Sequence, residues 1–348
     1  MMARLPSLLL LLTGLTVVFL YFFDVRFAIS EDAAIQRELR PVATTTALDE
    51  KVNAALDRDD VEDAGMYIEI ADYMDRALPV ETRTRFANAM TTSASIARNT
   101  GAFATGFVTG EGTSIAGLAG AVSSDLTVVG DVRDIASEGT KLVLGQDYNE
   151  FILGLSVVGL AATGATVATG GGGLPAKLGV SIIKVAARAG TLTVDFARTL
   201  QRLARDAVRP QELATILRST RLTDLRATEE ALVAYARNAR QADIFPVMAK
   251  LGELGNTVGP GETVRLLRYV RTTENLDDIT SMSARLGKKT RGVIELTGKT
   301  SLRAFRTALN VFEFLVEWMI GFISWLATIL SLALLKRIFR RQRKLRPA

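Results

Sequence analysis

The stretch Leu153–Lys177, LGLSVVGLAATGATVATGGGGLPAK, decides how the rest of the chain is read. It has no charge before Lys177, four consecutive glycines at 170–173 and a proline two residues later. A glycine run breaks a helix, and a proline is tolerated in the first turn of the next one. The spacing therefore predicts a helix from Glu150 to Thr169, a glycine turn, and a second helix from Pro175 through Arg188. The stretch is not a dinucleotide loop. It has no G-x-G-x-x-G, and no β-branched strand precedes it.

Bilayer crossing is a closer contest. Phe151–Thr169 is just long enough to span, but its Gly, Ala and Thr content makes insertion weak. The second arm cannot span, because Lys177 and Lys184 leave only six uncharged residues between them. The expectation is a hairpin buried in protein or lying on a membrane surface, with a third spanning helix as the alternative. Small residues recur on its faces: Ser156, Gly164 and Ala168 on one, Gly159 and Thr163 on another. Gly159 and Gly164 are the expected positions of close helix approach.

Both ends read as membrane anchors. Leu5–Phe23 is uncharged, follows Arg4 and finishes on Tyr21, Phe22 and Phe23, where an aromatic belt belongs. A cleaved signal peptide is the competing reading; Asp24 and Arg26 before Ala28-Ile29-Ser30 speak against it. Trp318–Leu335 is a second uncharged run. It is followed directly by Lys336, Arg337, Arg340, Arg341, Arg343, Lys344 and Arg346. A basic cluster against a spanning segment reads as stop-transfer on the cytoplasmic side, drawn to anionic headgroups. The expected layout is a cytoplasmic N-terminus (1–4), a spanning helix (5–23), an acidic helical region (24–110), a Gly-rich apolar hairpin module (111–190), a basic helical-repeat region (191–309), a spanning helix (318–335) and a basic cytoplasmic tail (336–348). Both termini would be cytoplasmic, with the central domain outside a bacterial inner membrane.

The chain has no Cys and no His. This removes Ser-His-Asp and Cys-His nucleophile pairs, structural zinc sites and haem ligation by His. The net charge of +5 hides an asymmetry. Residues 24–150 carry 22 acids against 11 bases, and residues 177–310 carry 23 bases against 13 acids. The two regions are expected to complement each other or to face different partners. No nucleic-acid partner is expected.

Between the anchors strand signals are scarce, and Ala-, Leu- and Arg-rich helical patterns dominate. Thr46–Pro79 reads as two helices around a charged turn at Asp57–Asp60. The acids Asp57, Asp59, Asp60, Glu62 and Asp63 fail the calcium-loop pattern, since Glu62 stands where its glycine belongs. They read as capping acids in a solvated turn. LTGKTS at 296–301 lacks the first glycine of a phosphate-binding loop and follows a helical pattern. Gly298 there breaks a helix, and Thr300 or Ser301 caps the next. DIFPVMAKLG (243–252) and DITSMSARLG (278–287) lie 35 residues apart, and LRYVR (267–271) and LRAFR (302–306) keep that register. A period of this length suits a repeated helical hairpin.

One resemblance is local. Val129, Gly130, Asp131, Val132 and Asp134, then Gly145 and Asp147, then the Gly-rich apolar stretch, resemble the hydrophobic pre-toxin segment of bacterial polymorphic toxins over residues 125–190. The resemblance implies a mobile helical module with a processing or membrane-related role and brings no catalytic residues. The chain as a whole resembles uncharacterised bacterial inner-membrane proteins. The expected fold is all-α. The expected role is a membrane-anchored scaffold that binds a protein partner through its helical repeats, with no cofactor and no metal. Two alternatives stay open. One is a pore-forming protein built on the 151–188 hairpin. The other is a carboxylate-based envelope enzyme using Asp125, Asp131 and Asp134. Those acids otherwise read as caps or as buried salt bridges with Arg133 and Lys141.

Overall fold

A computed structural model describes residues 31–91, 102, 103, 105, 114–125, 128–219, 225–237, 239 and 242–311, and then 314, 317, 318, 320–322, 324, 325 and 329. The predicted anchor at 5–23, the N-terminal residues 1–4, the basic tail 336–348 and most of 318–335 lie outside the described residues. The described chain is all-helical, with no strand among the described residues. It divides into two compact units, Arg40–Gly298 and the pair of terminal stretches Met1–Leu39 and Lys299–Ala348.

The larger unit begins with α1 (Thr45–Asp57), α2 (Val61–Tyr73) and α3 (Val80–Ala89). Thr44 caps α1, accepting from the Ala47 N–H at 3.2 Å, and Asp60 caps α2, accepting from the Asp63 N–H at 3.1 Å. Next come α4 (Ile115–Asp125), α5 (Val128–Val143), α6 (Glu150–Thr169) and α7 (Leu174–Arg188). Asn149 caps α6 through the Ile152 N–H, and Gly170, in the left-handed region at φ 63°, ends it. Sequence and structure agree on both hairpin arms to within a residue. The basic half supplies α8 (Val194–Asp206), α9 (Pro210–Ser219), α10 (Leu225–Ala236), α11 (Ile244–Val258), α12 (Pro260–Leu266), α13 (Thr273–Leu286) and α14 (Lys289–Thr297).

The hairpin is the centre of this unit. α6 is surrounded by α5, α7, α8 and α10, while α7 packs on α4, α11 and α12. Among the described residues α6 is the one helix long and apolar enough to cross a bilayer, yet 61% of its apolar window is buried within the protein. The most extensive helix pair is α7 with α11. Missing side chains bring the two backbones together. A Cβ on Gly179 would collide with the Met248 carbonyl, one on Gly252 with the Pro175 carbonyl, and one on Gly255 would lie 2.7 Å from Ile182 Cδ1. On the other arm a Gly154 Cβ would fall 2.5 Å from the Ala204 carbonyl oxygen.

The 35-residue spacing does not carry over into matching roles. Gly252 lies inside α11 at the crossing, whereas Gly287 ends α13 at φ 58°. Asp243 stands at the N-cap of α11 without a side-chain capping bond, whereas Asp278 lies within α13, which Thr272 caps instead. Leu267–Tyr269 is a 3-10 turn leading into extended Val270, while 302–306 is continuous helix. Gly298 ends α14 at φ 63°, as the sequence predicts.

In the terminal unit, Glu31–Leu39 is helical and a helix runs over 300–311. Beyond it Phe314, Trp318, Ile320, Phe322, Trp325 and Ile329 are exposed. The rings of Trp318, Phe322 and Trp325 stack successively, with centroids 5.7 and 6.0 Å apart.

Two glycine substitutions should separate close packing from propensity. Gly252→Ala puts a methyl group into the Pro175 carbonyl and should destabilise by about 1–3 kcal/mol in chemical denaturation. Gly65→Ala meets only the Phe86 ring edge, at 3.4 Å. There the helix propensity of alanine should leave the protein equally stable or stabilise it by up to about 1 kcal/mol. Equal effects at the two sites would contradict the backbone crossing.

Candidate functional site

Ionisable groups gather inside the larger unit at two places. The first is built on the hairpin. Asp131, in the first turn of α5, is fully buried, and so in effect are Lys177 and Lys184 on α7. Lys177 donates to Asp131 Oδ2, and Lys184 donates to Asp131 Oδ1 at 2.7 Å and to Asp134 Oδ2 at 2.8 Å. Two ammonium groups and two carboxylates thus neutralise one another in the core. The hydroxyl of Ser156 on α6 lies 3.5 Å from Asp134 Oδ2. Position 159 is glycine for a related reason: a Cβ there would collide with the Asp131 carboxylate. Gly159 therefore makes room for a charged group, not for a neighbouring helix backbone. Gly164 is half-buried.

This corrects the sequence expectation about partners. Asp131 and Asp134 do form buried salt bridges, and across α5 and α7 their partners are Lys177 and Lys184. Lys141 pairs with Glu138 at 2.7 Å. The side chains of Asp125 and Arg133 lie outside the described residues. Glu138 also accepts the Asn149 N–H at 2.6 Å, which ties the Gly145 turn back onto α5 and holds the Glu138 carboxyl below its ordinary range.

The second cluster joins the acidic hairpin α1–α2 to the basic helices α12 and α14. Asp63 accepts from Arg265 at 2.8 Å and from Arg291. Arg265 also pairs with Asp60 at 3.0 Å. Arg291 reaches Glu262 at 2.6 Å and Glu295 at 3.0 Å. Tyr67 and Tyr269 both donate to Glu295, the latter at 2.9 Å. Asp63 is therefore no solvated turn acid but a buried counter-ion 202 residues from Arg265. Asp57 keeps the expected exposed character and pairs with Arg85 at 2.5 Å.

Burial sets the protonation behaviour here. It pushes the Glu262 carboxyl up, against the pull of Arg291. It also pushes both phenols up, and the Glu295 carboxylate adds to the effect. Arg291 is raised by its three carboxylates in spite of burial. A polar cavity of ≈ 370 Å³ opens beside this cluster, lined by Lys51, Arg58, Arg265, Arg268, Tyr67 and Glu295 among others. A second cavity of ≈ 350 Å³ is lined by Met66, Phe86, Met90 and Ile115 together with charged residues that include Glu62, Glu262 and Arg291. No group of three or more acids that could hold a metal ion occurs among the described residues.

Comparison with protein-family models, with curated proteins and with solved structures found no match. The class is defined by the fold and its clusters alone: an all-helical protein whose acidic N-terminal half supplies counter-ions to its basic half.

Each cluster has its own expected signature. Asp131→Asn removes the carboxylate that holds Lys177 and leaves Lys184 with Asp134. It should destabilise by about 3–5 kcal/mol, whereas joint replacement of Asp131, Lys177 and Lys184 by apolar residues of similar size should recover most of that loss. At the second cluster the phenols are held neutral above their ordinary pKa of 10.0. A raised pKa in the folded state gives stability that is intact below the unfolded value and is lost as pH rises beyond it. Urea unfolding between about pH 8 and pH 11 should therefore fall less steeply in a Tyr67→Phe/Tyr269→Phe variant than in the parent. Parallel curves would contradict the phenol–carboxylate arrangement.

Proposed function

We propose that this chain is a membrane-anchored helical scaffold that presents its larger unit to a protein partner. The observation that carries the reading is that the buried charged groups of this unit are spent on one another, in two clusters that fix helix to helix. Asp131, the central acid of the hairpin module, is 0% exposed and has a lysine on each oxygen. An envelope enzyme built on it therefore loses its support. The anchoring part of the proposal is supported by the exposed Phe314, Trp318, Phe322, Trp325 and Ile329, which form an apolar surface that favours lipid over water. The seven bases from Lys336 to Arg346 argue for a cytoplasmic C-terminus, and with two anchors the N-terminus lies on the same side. The larger unit then faces outward from an inner membrane.

A second reading has its own observation. The apolar α6 is joined to an arm whose two lysines are masked by the acids of the Val-Gly-Asp-Val-x-Asp motif. If those acids lost their charge, the hairpin would be a candidate for membrane insertion. That makes the chain a membrane-perturbing protein.

One pair of measurements separates the two. Crosslinking in native membranes followed by purification in mild detergent should recover the chain with a defined protein neighbour, and the full-length protein should leave dye-loaded anionic vesicles intact. A lone chain after crosslinking contradicts the scaffold. Dose-dependent leakage that is abolished by apolar-to-charged substitution in α6 establishes the pore instead.

A further inference from the structure

Lys51, Arg58 and Arg268 stand around the polar cavity beside the second ion cluster. All three are exposed, and none has a carboxylate within ion-pair distance among the described residues. Lys51 lies only against a ring, 5.8 Å from the Tyr67 centroid. The acids of the cavity are in the opposite condition. Asp60 is taken by Arg265, Asp63 by Arg265 and Arg291, and Glu295 by Arg291 and two phenols. The lining has an excess of positive charge, and it stays positive when Glu262, behind Arg291, is included. Below the three free cations lies a floor already ordered by its own hydrogen bonds.

We infer that this cavity binds a small phosphate-bearing anion at its mouth. Two guanidinium groups and an ammonium arriving from α1, the turn after it and the 3-10 turn at 267–269 suit a tetrahedral group with oxygens on several sides. A volume of ≈ 370 Å³ lies at the lower end of the range for small-ligand sites, so the ligand is compact. Asp60 and Asp63 keep the anion off the floor and at the rim, where Arg58 and Arg268 meet it. Its source is either a free phosphorylated small molecule or the headgroup of a phospholipid. The inference is independent of the scaffold reading, since it concerns a pocket within one unit and no protein partner.

The test uses the full chain in a zwitterionic detergent, with inorganic pyrophosphate titrated calorimetrically. Saturable binding is expected, weakened by about tenfold or more in Arg58→Gln/Arg268→Gln. It should be unchanged in Arg202→Gln/Arg218→Gln, which removes the same charge elsewhere. In a second arm the chain is reconstituted into nanodiscs with and without phosphatidic acid. Pyrophosphate binding that persists in both discs identifies a soluble ligand, and loss of binding only where phosphatidic acid is present identifies the headgroup. Either result supports the site. Absence of pyrophosphate binding at millimolar concentration overturns it. So does equal binding by both double variants, or citrate binding as tight as pyrophosphate.

Discussion

Two lysines on the inner side of α7 set the terms for the larger unit. An ammonium group taken out of water costs several kcal/mol unless a counter-charge and hydrogen bonds replace its hydration. Lys177 and Lys184 are both buried, so the chain must bring carboxylates to them, and it does so from α5. That requirement fixes the place of α5 against the hairpin. It also explains why position 159 has no side chain, since the Asp131 carboxylate occupies that space. On its other side α7 lies so close to α11 that Gly179 and Gly252 admit no Cβ. The hairpin is thus held by charge on one flank and by backbone contact on the other. Both constraints are met by groups of the larger unit itself.

The second cluster repeats the logic at greater sequence distance. Arg265 and Arg291 come from the basic half, and Asp60 and Asp63 come from the turn and first turn of α2. Glu150 with Arg205, at 2.8 Å, is a third link of the same kind at the surface. Part of the opposite charge of the two halves is therefore used inside the unit. Positive charge is left over on the rim at Lys51, Arg58 and Arg268, where it can meet something from outside. Buried ion pairs add less stability than their number suggests, because desolvation offsets attraction. In this arrangement α5 is tied to α7, and α2 to α12 and α14, through those pairs.

Much of this was legible in the sequence where the signal is local. The glycine run, Asn149 and Gly170 define both hairpin arms, and the charged turn at Asp57–Asp60 separates α1 from α2 as expected. What was not legible is long-range. Nothing near Asp131 in the chain tells that its partners are 46 and 53 residues away, and nearby Lys141 offers a false one. Asp63 sits among four other acids, where composition points to solvent, yet in the first turn of the helix it faces inward. The 35-residue spacing misleads for a related reason. Gly252 and Gly287 match by register, but one is a packing glycine inside a helix and the other a helix end. Two hints were available: lysines at 177 and 184 on an otherwise apolar arm require buried acids, and the motif acids are the nearest candidates.

The central claim is that the hairpin belongs to the interior of the helical domain and does not cross the bilayer. The chain contains no cysteine, so single thiols can be introduced without background. Leu144 and Val194 flank the hairpin and are 64% and 63% exposed. The decisive measurement is labelling of Leu144→Cys and Val194→Cys by a membrane-impermeant maleimide, in intact and in permeabilised cells of a bacterial host. The account predicts the same result at both positions: labelling without permeabilisation, which puts both on the outer face. Labelling of one in intact cells and of the other only after permeabilisation would place α6 across the membrane and contradict the account.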